Sequence, residues 1–217
     1  DPEEWGEALG QAQEEIAGFA NAVAESGQEV RLLVRNAANE ARAQALVLSG
    51  VTLERRSYGD VWLRDTGPIV VGRGDAFSAV RPGFNGWGEK QDYGDDSEVA
   101  SFVTQWAGVR PIQTDLVLEG GAIEVDGQGT AIMTESCVLN QNRNPNVSKA
   151  QCEWELKRLL GLEKIIWLPG IKGKDITDGH TDFYARFARP GVVIAGYDPD
   201  PLSFDHAVTK RHIDILR

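Results

Sequence analysis

Three stretches of the sequence align on one pattern: RDTGPIVVGRGDAFSAV from Arg64, LEGGAIEVDGQGTAIMT from Leu118 and TDGHTDFYARFARPGVVIA from Thr177. Each gives an acidic residue, a glycine within two positions, an apolar run, a glycine-containing turn and a second apolar run. The acidic positions Asp65, Glu119 and Asp178 are 54 and 59 residues apart, and a helix-like stretch falls in each interval. A strand, hairpin and helix recurring at that period suits a ring of modules whose equivalent strand ends converge on an axis, where the carboxylates would gather. Glycine turns after strands also recur by chance, so periodicity alone leaves both readings standing.

The elements around this pattern follow from local signals. Apolar residues at Leu9, Ile16, Phe19, Ala20 and Val23 give helical spacing over residues 3–25, closing at Ser26-Gly27. Glu29–Val34 has strand length and Ala37–Leu48 has helix-forming composition. Further helices are expected over 97–106, 148–160 and 203–216, each opened by a serine in capping position. Strands are expected over 52–55, 68–71, 117–125, 130–134, 165–168 and 192–197. The class is α/β or α+β, in one domain.

Composition narrows the function classes. With 22 Lys and Arg against 33 Asp and Glu, the net charge of −11 speaks against a nucleic-acid partner and for a cationic ligand. No stretch reaches the roughly 18–20 apolar residues of a membrane span, and the N-terminus lacks a secretory pattern, so no membrane partner and a cytoplasmic location are expected. Cys137 and Cys152 form no CxxC pair, which supports neither a disulfide framework nor a cysteine-rich zinc site.

Asp178-Gly179-His180-Thr181-Asp182 is the most suggestive chemical segment. In an extended strand, side chains 178, 180 and 182 would share a face, and an imidazole between carboxylates is a general acid/base arrangement. The same residues also suit the start of a metal site, or a capped turn whose aspartates bond backbone amides. Few nitrogen partners exist for a metal, because His206 and His212 fall in a polar helix where a solvated surface is the default. Trp62-Leu63-Arg64-Asp65 joins an indole to a carboxylate, a pairing suited to a flat guanidinium; an exposed ion pair beside a core tryptophan reads equally well. Phe84-Asn85-Gly86-Trp87-Gly88 and the acidic run from Asp92 either border a pocket or form a solvated connection. Glu119, followed by two glycines, is a site residue or a surface group beside a turn. A cysteine near a histidine invites a nucleophile reading, but apolar neighbours make inert buried thiols the assignment for Cys137 and Cys152.

Taken together, WLRDTGP, FNGWGEK, LEGGAIEVDGQGT, TESCVLNQNRNP and DITDGHTDFYARF resemble the agmatine deiminase family, a branch of the guanidine-modifying enzymes that includes bacterial peptidylarginine deiminases. The resemblance runs from about Trp5 onward. It implies an α/β pentein fold, five ββαβ modules in a pseudo-fivefold propeller. It also implies hydrolysis of agmatine to N-carbamoylputrescine and ammonia, a step toward putrescine, with no metal or organic cofactor, by an enzyme that forms a homodimer. Asp65 and Asp182 match the carboxylates that grip the guanidinium, and His180 matches the general acid/base. Glu119 matches a carboxylate that orients the histidine, Trp62 an aromatic at the substrate pocket, and Asn85 to Trp87 a loop shaping the tail pocket.

The family's nucleophilic cysteine lies in a glycine-rich segment near its C-terminus, and the sequence stops at Arg217 before any such segment. The expectation is therefore that residues 1–217 are an incomplete deiminase catalytic domain, truncated at both ends, with the substrate-gripping half of the site. Missing modules would leave apolar sheet edges exposed and favour self-association. The alternatives are an arginine- or peptidylarginine-processing enzyme on the same scaffold, and a non-catalytic guanidine-binding protein.

Overall fold

The computed structural model describes residues 5–217, the side chain of Arg73 excepted. They fall into two compact units, one ending at Val61 and the other spanning Trp62–Arg217.

In the first unit a short 3-10 turn, Gly6–Ala8, leads into helix α1, Leu9–Glu25. Residues 3 and 4 of the expected helix lie outside the described residues. Ala17 and Ala20 are the buried positions of α1, whereas Phe19, read as part of its apolar spacing, is exposed. Strand β1, Val30–Val34, pairs in parallel with β2, Val51–Arg55, across helix α2, Ala37–Leu46. Asn36 caps α2 by accepting the Asn39 amide at 3.0 Å. The helix ends two residues before the expected Leu48, because Leu48 donates its amide to Asn21 Oδ1 at 2.8 Å instead.

The second unit is built on a repeated ββαβ arrangement. Strand β3, Ile69–Arg73, is antiparallel to β4, Ala76–Gly83, which runs parallel to β5, Arg110–Val117, across helix α3, Val99–Trp106. Strand β6, Ile123–Val125, is antiparallel to β7, Thr130–Thr134, which runs parallel to β8, Lys164–Leu168, across helix α4, Lys149–Leu160. A third hairpin, β9, Ala185–Arg189, and β10, Val192–Ala195, is followed by helix α5, His206–Leu216. Parallel strands separated by a helix are what a βαβ crossover requires, and each hairpin closes through a tight turn.

The core lies around β7, whose residues Ala131, Ile132 and Met133 are wholly buried. Alternation sends Ala131 and Met133 toward Leu118, Cys137, Cys152 and Leu156, and Ile132 toward Leu168 and Ala185. Helix α4 begins where its sequence says it should, because Ser148 and Gln151 form a reciprocal capping box. The other two serine caps do not form. A 3-10 turn, Asp96–Glu98, precedes α3, and Ser97 donates its hydroxyl to the Gly94 carbonyl. Helix α5 starts after Asp205, whose amide bonds the Ser203 hydroxyl at 3.3 Å.

The expected strand over 117–125 is also corrected: β5 ends at Val117, and a 3-10 turn, Gly120–Ala122, interrupts the run before β6. That turn belongs to a set. Leu63–Thr66, Gly120–Ala122 and Thr181–Phe183 are short helical turns leading into β3, β6 and β9, and the residues immediately before them are Trp62, Glu119 and His180. The repeat is therefore real in the fold, but its register differs from the acidic alignment, with Trp62, not Asp65, at the position of Glu119 in the first module. His180, not Asp178, occupies the position of Glu119.

Candidate active site

The short turns bring three side chains from two modules to one point. A methyl group placed on Gly121 would lie 2.5 Å from His180 Nδ1 and 3.0 Å from both Asp182 Oδ2 and Asp65 Oδ1. Only glycine leaves room for this convergence. Asp65 is held by neutral donors: the Gly121 amide donates to Oδ1 at 2.9 Å and the Trp87 indole to Oδ2 at 3.0 Å. His180 Nδ1 stands 3.9 Å from Asp65 Oδ2. Asp182 makes no hydrogen bond or ion pair among the described residues; burial and then the negative charge of Asp65 push its carboxyl above the ordinary value, although His180 pulls the other way.

On the opposite edge of the imidazole the arrangement is different. His180 Nε2 lies 3.5 Å from Glu119 Oε2, and both side chains are almost completely buried. Arg143, with no exposed side-chain surface, donates Nε to Glu119 at 2.8 and 3.0 Å, Nη1 to Asp178 at 2.8 Å and Nη2 to the Thr177 carbonyl at 2.9 Å. Burial works to raise the Glu119 carboxyl, but His180 and Arg143 together hold it below its ordinary value. Cys137 lies 3.6 Å from Glu119 Oε2 and is fully buried, and burial pushes its thiol well up.

The expected extended segment through His180 is not a strand. Asp178 and Gly179 both take positive φ, +61° and +83°, and the chain turns into the short helix at Thr181. Asp178 consequently points away from Asp182, into a set of donors: the Gly173 amide, the Asn142 amide group, Arg143 and Lys90, whose Nζ lies 2.9 Å away. Burial opposes its ionisation, yet these partners lower the Asp178 carboxyl to about 2. Thr134 and Ser136 fasten the same loop by donating their hydroxyls to the Gly179 and Asp178 carbonyls at 2.6 Å. The loop presenting His180 is thus fixed from several elements at once.

Other expected residues behave unevenly. Trp62 is exposed and meets Asp65 through its backbone, its carbonyl accepting the Asp65 amide at 2.9 Å; the indole that touches this carboxylate belongs to Trp87, which is buried and packs edge-on against Phe84 at 5.1 Å. Asn85 ties its own loop to a distant one, accepting the Gly88 amide at 2.9 Å and donating to the Asn142 carbonyl at 2.8 Å. Cys137 and Cys152 are free and buried, as expected, and burial raises the Cys152 thiol to about 11. His212 is a correction. It is fully buried, its Nε2 accepts the Gly170 amide at 3.2 Å, its ring meets Tyr184 edge-on, and burial lowers it to about 4. Sequence reading marked the two glycines after Glu119 but missed Arg143 and Lys90; the arginine inside the amide-rich Asn142-Arg143-Asn144 run was the available signal. No helix among the described residues is long and apolar enough to cross a membrane.

Comparison with known proteins gives one answer. The family model of the Porphyromonas-type peptidyl-arginine deiminases matches residues 1–217. The agmatine deiminase of Pseudomonas fluorescens is 37% identical over 99% of this chain and 60% of its own length. Two solved structures share the fold: an agmatine deiminase of Enterococcus faecalis, with a TM-score of 0.86 and 28% identity over 97% of this chain, and a cysteine-to-serine variant of the C. jejuni agmatine deiminase with substrate bound, with a TM-score of 0.85 and 29% identity over 98%. The chain spans 58% and 63% of those two chains. It has a mixed α/β fold and belongs to the Porphyromonas-type peptidyl-arginine deiminase family.

Proposed function

We propose that Asp65 and Asp182 clasp the guanidinium of agmatine and that the full-length protein hydrolyses it to N-carbamoylputrescine and ammonia. The observation carrying this reading is the meeting of Asp65, Asp182 and His180 Nδ1 around Gly121, with neither aspartate paired to a lysine or arginine among the described residues. A planar cation entering there gains two charge-assisted partners and offsets the burial, and then the repulsion from Asp65, that raise the Asp182 carboxyl.

The chemistry then runs by nucleophilic catalysis. A thiolate attacks the guanidinium carbon, His180 Nδ1 protonates the departing ammonia, and the resulting thiouronium is hydrolysed by a water that His180 deprotonates. Glu119 stabilises and orients the imidazole from its Nε2 side. Cys137 and Cys152 are unsuited to the attack, being buried with raised thiols, so the nucleophile is assigned to another thiol of the full-length protein. The C. jejuni relative captured with substrate as a cysteine-to-serine variant agrees with a thiol-dependent reaction.

We read residues 1–217 as part of one catalytic domain and the ββαβ modules as blades of a pentein ring, active in putrescine formation. The name of the matching family keeps arginine and peptidylarginine in view as substrates. The test is a ureido-product assay of the full-length protein with agmatine and with arginine. Agmatine turnover that survives Cys137→Ser and Cys152→Ser is expected; turnover of arginine alone, or loss of activity with Cys152→Ser in a folded protein, contradicts the proposal.

A further inference from the structure

Residues Gly86, Trp87, Gly88 and Glu89 all take positive φ, between +56° and +87°. Two of them carry side chains, which resist this left-handed backbone, so the run persists only where its surroundings hold it. Its near end is held by Asn85, which bonds the Gly88 amide and the Asn142 carbonyl. At the far end Lys90 sends its ammonium into the turn before His180. There Nζ lies 2.9 Å from Asp178 Oδ2, 2.8 Å from the Ile176 carbonyl and 3.3 Å from the Asp175 carbonyl. Three acceptors take up the three donors of an ammonium. Between the two anchors, the run places the Trp87 indole 3.0 Å from Asp65 Oδ2. One short segment thus joins an aspartate at the front of the site to the loop that carries His180 and Asp182.

We propose that Lys90 is a positioning residue for guanidinium binding: by clamping the 86–89 run to the 175–178 turn, it holds the Trp87 indole on Asp65 and fixes that carboxylate for the substrate. Two roles for this lysine predict opposite signs. As a charge alone, Lys90 repels a cationic ligand, and its loss would tighten agmatine. As a clamp, its loss lets the run leave the left-handed region, the indole departs from Asp65, and agmatine binds more weakly. Asp178 keeps Arg143, Asn142 and the Gly173 amide as donors when Lys90 is removed, so Lys90→Met is expected to fold.

For its effect on agmatine the proposal rests on the deiminase reading, so the test follows the clamp and the ligand separately. In 15N-labelled full-length protein the Trp87 indole N–H is assigned by its disappearance in Trp87→Phe, and its hydrogen exchange is measured without ligand. Agmatine is then titrated by calorimetry. Lys90→Met is expected to speed that exchange at least about tenfold and to weaken agmatine roughly fivefold, the contribution of the one bond from Trp87. In a Trp87→Phe background the same substitution is expected to weaken agmatine no further, because the bond it protects is already gone. Should Lys90→Met not fold, Lys90→Arg takes its place. A planar fork does not set three donors as an ammonium does, and faster exchange of the indole proton is again expected. Unchanged exchange in a folded variant, an agmatine affinity that Lys90→Met leaves undiminished, or a further loss in the Trp87→Phe background overturns the proposal. Faster exchange in Lys90→Met with no agmatine bound by the wild type leaves the clamp standing and removes the deiminase reading.

Discussion

The two edges of the His180 imidazole use carboxylates in opposite ways. Behind the ring, Glu119 and Asp178 are saturated by the chain's own cations, Arg143 and Lys90, in a buried network. In front of it, Asp65 is held by an indole and a backbone amide, and Asp182 makes no hydrogen bond or ion pair among the described residues, with Arg186 and Arg64 acting on it only from beyond ion-pair distance. The difference teaches that charge count alone does not mark a site. A carboxylate neutralised from within fixes the loop that carries the histidine, whereas one left without a cation is poised for a ligand that brings its own.

The largest expected effect is on the rear edge. Arg143→Met strands Glu119 and Asp178 in the interior, and breaking a buried pair in this way costs about 3–5 kcal/mol; Asp182→Asn, which removes an unpaired desolvated charge, is expected to leave denaturant stability unchanged or higher. Equal stabilities for the two variants in urea unfolding break the contrast. Acid unfolding sharpens it. Asp178, lowered from 3.8 to about 2, contributes stability that is lost as the pH falls from about 4 toward 2, so a loss between about pH 6.5 and 4 has another source. That loss is assigned to His212, with a folded value near 4 against 6.5. Between these values the unfolded state binds the extra proton, so stability is full above about pH 6.5 and falls as the pH drops toward 4, by on the order of 2–3 kcal/mol. His212→Gln is expected to flatten that segment of the profile, measured by denaturant midpoints at each pH.

On the front edge, Asp65→Asn and Asp182→Asn each remove a charged acceptor and are expected to weaken agmatine by about 1.5–3 kcal/mol, roughly 10- to 150-fold. Gly121→Ala, which puts a methyl where His180 and both aspartates meet, should abolish binding in a protein that still folds. The smallest effect belongs to Trp87→Phe. It keeps the aromatic edge beside Phe84 but deletes the indole bond to Asp65, costing about 1 kcal/mol in agmatine affinity by calorimetry.

What the sequence disclosed depended on how local the cause was. The start of the helix at Lys149 was legible because Ser148 and Gln151 satisfy each other within four residues. The turn at Gly120 was not: it is fixed by a neighbour far along the chain, the Arg64 carbonyl, which stands 2.1 Å from where a Gly120 side chain would begin. Asp65, His180 and Asp182 are singled out by five ordered motifs, while the strand geometry that joins His180 and Asp182 to Asp178 is mistaken, since the positive φ at Asp178 reverses the chain. Arg143 looks like a solvated arginine between two asparagines, and its burial comes from Glu119 and Asp178, 24 and 35 residues away. His212 misled for the same reason, its polar helix being covered by Tyr184 and the backbone at Gly170.

The central claim is that two aspartates without cationic partners clasp a guanidinium in front of His180. Titration calorimetry of agmatine into the wild-type protein and the Asp65→Asn/Asp182→Asn double variant tests it most directly. The account predicts one saturable site in the wild type and no measurable binding in a folded double variant; undiminished affinity in that variant contradicts it.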